Sequence, residues 1–297
     1  MTDRERLFGI SVAPLGAAHR DVVEQVLAAE RGGLDLVGIQ DHPYQRRFLD
    51  TFALIADLLA RTSRIRIFPD VASLPMRGPT MIAKAAASLD VMSDGRFELG
   101  LGAGAFWDAV AGMGGPRRTG REAADALEEA IPIIRGALDV GPERRVVSGR
   151  GTHYPVPGYP PGPPPAHRVE IWIGAYQPRA MRLIGTVADG WVPSMGRTSI
   201  DALRASSARI DDAAVAAGRE PSAIRRIYNI GGSITDGSGG DGVLVGPVER
   251  WVETLLEWAI DPGIDGFIFW PTTDELAQVE RFAAEVAPAV REALAAG

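Results

Sequence analysis

The sequence of 297 residues contains no cysteine. That excludes disulfides, cysteine-bound metals and thiol nucleophiles. Lysine is almost missing as well: Lys84 is the only one, so arginine supplies the other 30 of the 31 basic residues. Schiff-base lysine chemistry is thereby confined to position 84. No apolar run is long enough to span a bilayer. The charged start, Met1 to Arg6, leads into only a short apolar stretch, unlike a signal peptide. A cytoplasmic protein with no membrane partner is the expectation. A basic excess is missing too, with 31 Lys+Arg against 38 Asp+Glu and a net charge of -7, which argues against nucleic acid as the main partner. What is present is ordinary for a folded protein, 46% hydrophobic and 23% charged residues, so wholesale disorder is ruled out. The length allows two domains or one α/β barrel.

The chain alternates short apolar runs with amphipathic ones. Strands are expected at Leu7 to Ala13, Leu36 to Ile39, Ile65 to Val71, Phe97 to Leu101, Val169 to Ile173, Trp191 to Pro193, Ile227 to Ser233 and Gly266 to Trp270. Helical spacing is expected after each, over His19 to Arg31, Asp50 to Ala60, Pro79 to Met92, Glu122 to Leu138, Pro178 to Ala188, Ile200 to Ala217, Pro247 to Ile260 and Asp274 to Leu294. The strand runs are apolar at nearly every position, as in a parallel sheet buried on both faces. Eight such units close a (β/α)8 barrel. The competitor, a doubly wound open sheet, carries a Gly-rich dinucleotide turn after its first strand. Here that turn is Pro14-Leu15-Gly16-Ala17-Ala18, which does not match. One break interrupts the alternation, about 139–168, with Pro155, Pro157, Pro160, Pro161, Pro163, Pro164 and Pro165. Proline this dense excludes a central strand or a helix interior. Composition leaves both a linker between domains and an excursion over a barrel mouth open.

In a barrel, chemistry sits on loops leaving the C-terminal strand ends. His42 follows the second strand beside Asp41, a carboxylate placed to orient its ring or raise its pKa. Tyr44 stands two residues on. The loop after the fourth strand holds Gly100, Gly102 and Gly104, where absent side chains let a flat ring or a phosphate approach the backbone; Gly-x-Gly-x-Gly alone is a weak signal. The loop after the fifth opens a helix at Pro178, whose free N–H groups suit a phosphate, with Arg179 to reinforce them. Only one of four histidines lies clearly at a strand end, too few for a metallohydrolase, and no metal is expected. Asp41, Asp70 and Asp108 keep a hard-cation barrel hydrolase as the reading from another class.

Several stretches together resemble the luciferase-like monooxygenase superfamily, in particular its coenzyme F420-dependent oxidoreductases. They are Gly38-Ile39-Gln40-Asp41-His42, Pro75-Met76-Arg77-Gly78-Pro79 running on to Asp90, Gly95 to Gly104, and Ile171-Trp172-Ile173-Gly174-Ala175 with Ala188-Asp189-Gly190-Trp191. Phe269-Trp270-Pro271 also fits. The resemblance implies one barrel domain over residues 1–297, with about 139–168 as an insertion near the mouth. It implies a hydride transfer between F420 and a small organic substrate. His42 and Asp41 would be catalytic. Asp70, Val71, Gly104, Ala105, Gly174, Ala175, Tyr176 and Arg179 would hold the cofactor, with a cis peptide at Asp70-Val71. Tyr44, Phe106, Trp107 and Trp270 would hold substrate. Homodimers are common in that superfamily. An FMN-dependent monooxygenase using reduced flavin and O2 is the alternative, and a deazaflavin-binding protein without catalysis a further one. Two departures stand out. Ala105 aligns with a glutamate that acts as acid in sugar-phosphate dehydrogenases. Asp70 replaces the usual small residue and would set a negative charge beside an electron-rich ring.

Overall fold

The computed structural model describes residues 5–141, 146–237 and 244–296. Residues 1–4 of the charged start, 142–145 of the proline-rich excursion, 238–243 and 297 lie outside them. The strands are β1 (Leu7–Val12), β2 (Leu36–Ile39), β3 (Arg66–Pro69), β4 (Ala72–Ser73), β5 (Leu99–Gly102), β6 (Val147–Arg150), β7 (Pro155–Tyr159), β8 (Ile171–Gly174), β9 (Gly190–Trp191), β10 (Arg225–Ile234), β11 (Leu244–Gly246) and β12 (Gly266–Pro271). The helices are α1 (His19–Arg31), α2 (Thr51–Arg61), α3 (Leu74–Arg77), α4 (Pro79–Ser93), α5 (Trp107–Gly112), α6 (Gly120–Leu138), α7 (Pro178–Val187), α8 (Ile200–Ala216), α9 (Val248–Ile260), α10 (Glu275–Arg281) and α11 (Ala287–Ala296).

The strands pair in the order β3-β2-β1-β12-β10-β9-β8-β5-β4, each pair parallel. The expected third strand, Ile65 to Val71, is split. The observed β3 ends at Pro69, a cis peptide follows at Asp70-Val71, and the strand resumes beyond the expected range as β4. β3 pairs with β2 and also bridges through Ile67 to Phe97, while β4 pairs with β5. The two halves therefore close the sheet into a barrel. Helices wrap it outside, as the βα alternation requires. β1 is buried at all positions, as are β2 and β5, because helices cover one face and lumen side chains the other.

Two layers of apolar packing follow. Leu7, Leu36, Phe68, Trp172, Val192, Ile227 and Ile268 fill the lumen. Outside, Trp251 of α9 packs edge-on against Phe269 at 4.9 Å between ring centroids, and Phe269 lies 4.9 Å from Phe282. Phe282 begins a π-helical turn, Phe282–Val286, that interrupts the expected continuous helix Asp274 to Leu294. Helix ends follow local chemistry. Thr119 and Glu122 form a capping box at α6, the Thr119 hydroxyl accepting from the Glu122 N–H at 3.3 Å and the Glu122 carboxylate from the Thr119 N–H at 2.7 Å.

The excursion contains a hairpin of β6 and β7 that composition did not reveal. Pro155 and Pro157 fit β7 because a two-stranded ribbon has open edges where no N–H is needed. The ribbon packs against α6: Glu129 accepts from the N–H groups of Thr152, His153 and Tyr154. Tyr154 reaches the Leu74 carbonyl at 3.2 Å. His167 returns the chain to the opposite end of the barrel, between Asp90 at 2.7 Å and Glu98 at 3.3 Å. No described helix is long and apolar enough to cross a membrane.

Candidate active site

A cavity of about 320 Å³ opens at the C-terminal strand ends. It lies between the loops after β2, β5 and β8, the start of α6, and the Val71-Ala72-Ser73 segment. Asp41, His42, Tyr44, Val71, Gly104, Ala105, Trp107, Gly174, Ala175, Tyr176 and Arg179 all line it. Asp70, Phe106 and Trp270, grouped with them from the sequence, do not: Asp70 and Trp270 lie in the lumen below. Phe106 is 61% exposed and packs edge-on against His42 at 5.6 Å.

Asp41 does not orient His42. Its carboxylate is buried, takes Arg77 in a two-point ion pair at 3.0 and 2.8 Å, and accepts the Ser73 N–H at 2.8 Å. Arg77 also holds Asp50 at 2.8 Å, and Asp50 caps α2 by accepting from Ala53 N–H at 3.0 Å. One guanidinium thus ties the loop after β2 to α3 and α2. The fork geometry of arginine suits that task better than a lysine ammonium.

His42 finds its partner in Tyr44, with Nδ1 2.8 Å from the phenol oxygen. Nε2 has no protein partner among the described residues. Burial lowers the His42 pKa below the usual histidine range, and the Asp41 charge only partly offsets this. The ring is therefore neutral at pH 7. Burial, aided by Asp41, pushes the Tyr44 phenol up to about 12. The pair is uncharged, with a proton shared across one hydrogen bond.

The glycines of β5 and β8 also make room for a side chain of the barrel itself. A Cβ at Gly102 would sit 2.7 Å from Val71 Cγ2, and one at Gly174 would sit 3.0 Å from it. Both positions lack a side chain, and Val71 stands in the cavity floor in the space they leave. At Gly104, φ is +109° and a Cβ would meet Pro75 and Trp107 at 2.7 Å, so glycine there answers both a turn and close packing.

The far end of the cavity is more polar. α7 starts there without a side-chain cap, leaving backbone N–H groups for an anion. Arg179 does not reinforce them: it is clamped by Glu128 at 2.7 and 2.6 Å and by Asp125 at 2.6 Å, which offset its charge. Arg197, overlooked in the sequence, lines the cavity instead. Its guanidinium lies 5.5 Å from the Tyr176 ring centroid, and it pairs with no carboxylate among the described residues. It lies in a loop with no motif around it. The inner face of α6 was also missed, although Ala123 and Leu127, four apart, both line the cavity. The described residues contain no group of three or more histidine or acidic side chains placed to hold a metal.

Asp70 lies deepest. Its Oδ1 accepts from Asn229 Nδ2 at 3.3 Å, and its Oδ2 is buried without a partner. Burial pushes its pKa up to about 7. The negative charge expected beside the cavity is accordingly held off by a proton below neutral pH.

Known proteins resemble this chain in sequence and in fold. An F420-dependent glucose-6-phosphate dehydrogenase of Microbacterium testaceum is 32% identical over 64% of this chain and 57% of its own length. Its counterpart in Gordonia bronchialis is 31% identical over 60% of this chain and 54% of its own length. The chain thus spans little more than half of these relatives. Among solved structures, an F420-dependent secondary alcohol dehydrogenase with an F420-acetone adduct superposes with a TM-score of 0.84 at 19% identity, covering 97% of this chain and 99% of that one. An EDTA monooxygenase from Chelativorans superposes at 0.82 and 16% identity, covering 98% and 94%. The model of the luciferase-like monooxygenase family matches residues 7–238, and the chain belongs to that family.

Proposed function

We propose that this chain acts over residues 1–297 as one barrel enzyme, an F420-dependent oxidoreductase with a small organic substrate. The observation that carries the reading is the cavity itself. An apolar floor at Val71 and Ala103 leads to a neutral His42-Tyr44 pair on one side and uncapped α7 with Arg197 on another. That donor set fits a flat, anionic-tailed cofactor. The named sequence relatives, both F420-dependent dehydrogenases, favour the deazaflavin.

A bound deazaflavin supplies a hydride acceptor or donor. The chain's own residues do the rest. Val71, seated by Gly102 and Gly174, gives an apolar surface for a ring. The N–H groups of α7 and Arg197 bind the anionic part. Arg77, through Asp41, fixes the loop that carries His42. Ala105 has no proton to give, so the proton handling falls to His42, whose Nδ1 is hydrogen-bonded to Tyr44 and whose Nε2 is left for a ligand. Trp107 and Tyr44, the latter packed by Phe106 at 5.9 Å, wall the substrate end.

Fluorescence titration with F420 and FMN tests the reading. Micromolar FMN binding without F420 binding would overturn it. The family's monooxygenase members support one second reading, an FMN-dependent monooxygenase. Oxygen consumption that requires reduced FMN would favour that reading.

A further inference from the structure

The lumen under the cavity has its own chemistry. Strand alternation places Ser11 inside after Leu7, Asn229 and Gly231 after Ile227, and Trp270 after Ile268. Asp70 follows Phe68. These positions meet in one upper layer. Asn229 Nδ2 donates to Asp70 Oδ1 across the lumen at 3.3 Å. Asp70 Oδ2 lies 3.1 Å from where a Cβ of Gly38 would stand, and Gly38 is the register partner of Ser11. Trp270 pairs in register with Gly231, where a Cβ would meet nothing within 4 Å.

In this layer Ser11 Oγ, Asp70 Oδ2, Asn229 Oδ1 and Trp270 Nε1 are all buried with no hydrogen-bond partner. Ser11 is 7% and Asn229 4% exposed. Proteins leave few buried polar atoms unmatched, so a cluster of four marks a place for a partner from outside the chain. Asp70, Ser194, Gly231 and Trp270 stay partly accessible although inside the barrel, so the layer opens toward the mouth. Its side chains offer hydroxyl and indole donors, an amide acceptor and a carboxyl, and no cation.

We propose that this layer is a substrate subsite that takes the uncharged oxygen of a small alcohol or its carbonyl counterpart. The proposal rests on the oxidoreductase reading and names the substrate class for it. The oxygen would accept from Trp270 Nε1–H, and a hydroxyl proton would go to Asn229 Oδ1. A phosphate or carboxylate would lose its hydration against Asp70 with no cation to offset the charge.

The test uses the full chain with 15N-labelled tryptophan. The indole N–H resonance of Trp270, one of six tryptophans, is assigned by its loss in Trp270→Phe. Propan-2-ol and acetone should shift it saturably, and glucose 6-phosphate should not. Ser11→Ala and Asn229→Ala, shown folded by circular dichroism, should weaken binding by about threefold or more, the loss of one net hydrogen bond. A Trp270 resonance that propan-2-ol and acetone leave unmoved means a layer filled by water alone and overturns the proposal. A saturable shift with glucose 6-phosphate overturns it equally. F420 binding is read separately by its fluorescence. Binding of F420 with an unmoved Trp270 overturns the subsite alone; a shifted Trp270 without F420 binding supports the subsite and overturns the cofactor reading.

Discussion

Asp70→Asn tests the burial argument most directly. In the unfolded chain an aspartate ionises near pH 3.9; in the folded barrel burial raises Asp70 to about 7. Each pH unit of separation is about 1.4 kcal/mol, so roughly three units set a ceiling of about 4 kcal/mol, which partial access to the mouth brings to about 2–4. The sign follows from proton counts. Between the two pKa values the folded state binds more protons than the unfolded one, so this group's stabilisation is fully present below pH 4 and is lost as pH rises to 7. Asparagine keeps the shape and does not titrate. Urea unfolding, read by tryptophan fluorescence at about pH 5, 6 and 8, should show the variant gaining on the natural chain with each step, and exceeding it by about 2–4 kcal/mol at the top. Other carboxylates titrate alike in both chains and cancel in the difference. A difference that stays flat from pH 5 to 8 would refute the raised pKa.

His42→Ala should lower F420-dependent turnover at least about tenfold while the melting temperature holds, by steady-state kinetics and calorimetry. Gly102→Ala puts a Cβ 2.7 Å from Val71 Cγ2 and should cost about 1–3 kcal/mol in urea unfolding. Asp41→Ala leaves the Arg77 guanidinium, 19% exposed, without its main partner, and should cost about 3 kcal/mol by the same measurement. His167, raised to about 10 by its hydrogen bonds to Asp90 and Glu98, should stabilise the fold fully below about pH 6.5 and lose that contribution as pH rises through 10; His167→Gln should flatten the fall in melting temperature between pH 7 and 10.

Much of the architecture was legible in sequence because it rests on local rules. Buried parallel strands are apolar throughout, and helices announce themselves by spacing and by ends such as Gly32-Gly33. The β7 strand was hidden because Pro155 and Pro157 normally exclude strands, a rule that an edge ribbon escapes. Periodicity did not show the break in the third strand, because Pro69 and Asp70 sit at the end of an otherwise largely apolar run; the cis peptide at Asp70-Val71 was implied by the resemblance alone. In the site, the loops after β2, β5 and β8 were found from strand ends. Arg197 was not, since nothing near it in sequence marks it off from 29 other arginines.

The sequence by itself determined the barrel, the loops that bear the cavity and the absence of thiol chemistry, since periodicity and composition carry that information without reference to distant residues. Tertiary structure alone decided which charges meet. Asp41 stands next to His42 in the chain, yet Arg77, 36 positions away, takes its carboxylate. Arg179 goes to Glu128, 51 positions away. Val71 occupies the space that Gly102 and Gly174 leave open. Ion pairing and packing depend on separations of a few ångströms between elements, and those distances exist only once the barrel has closed.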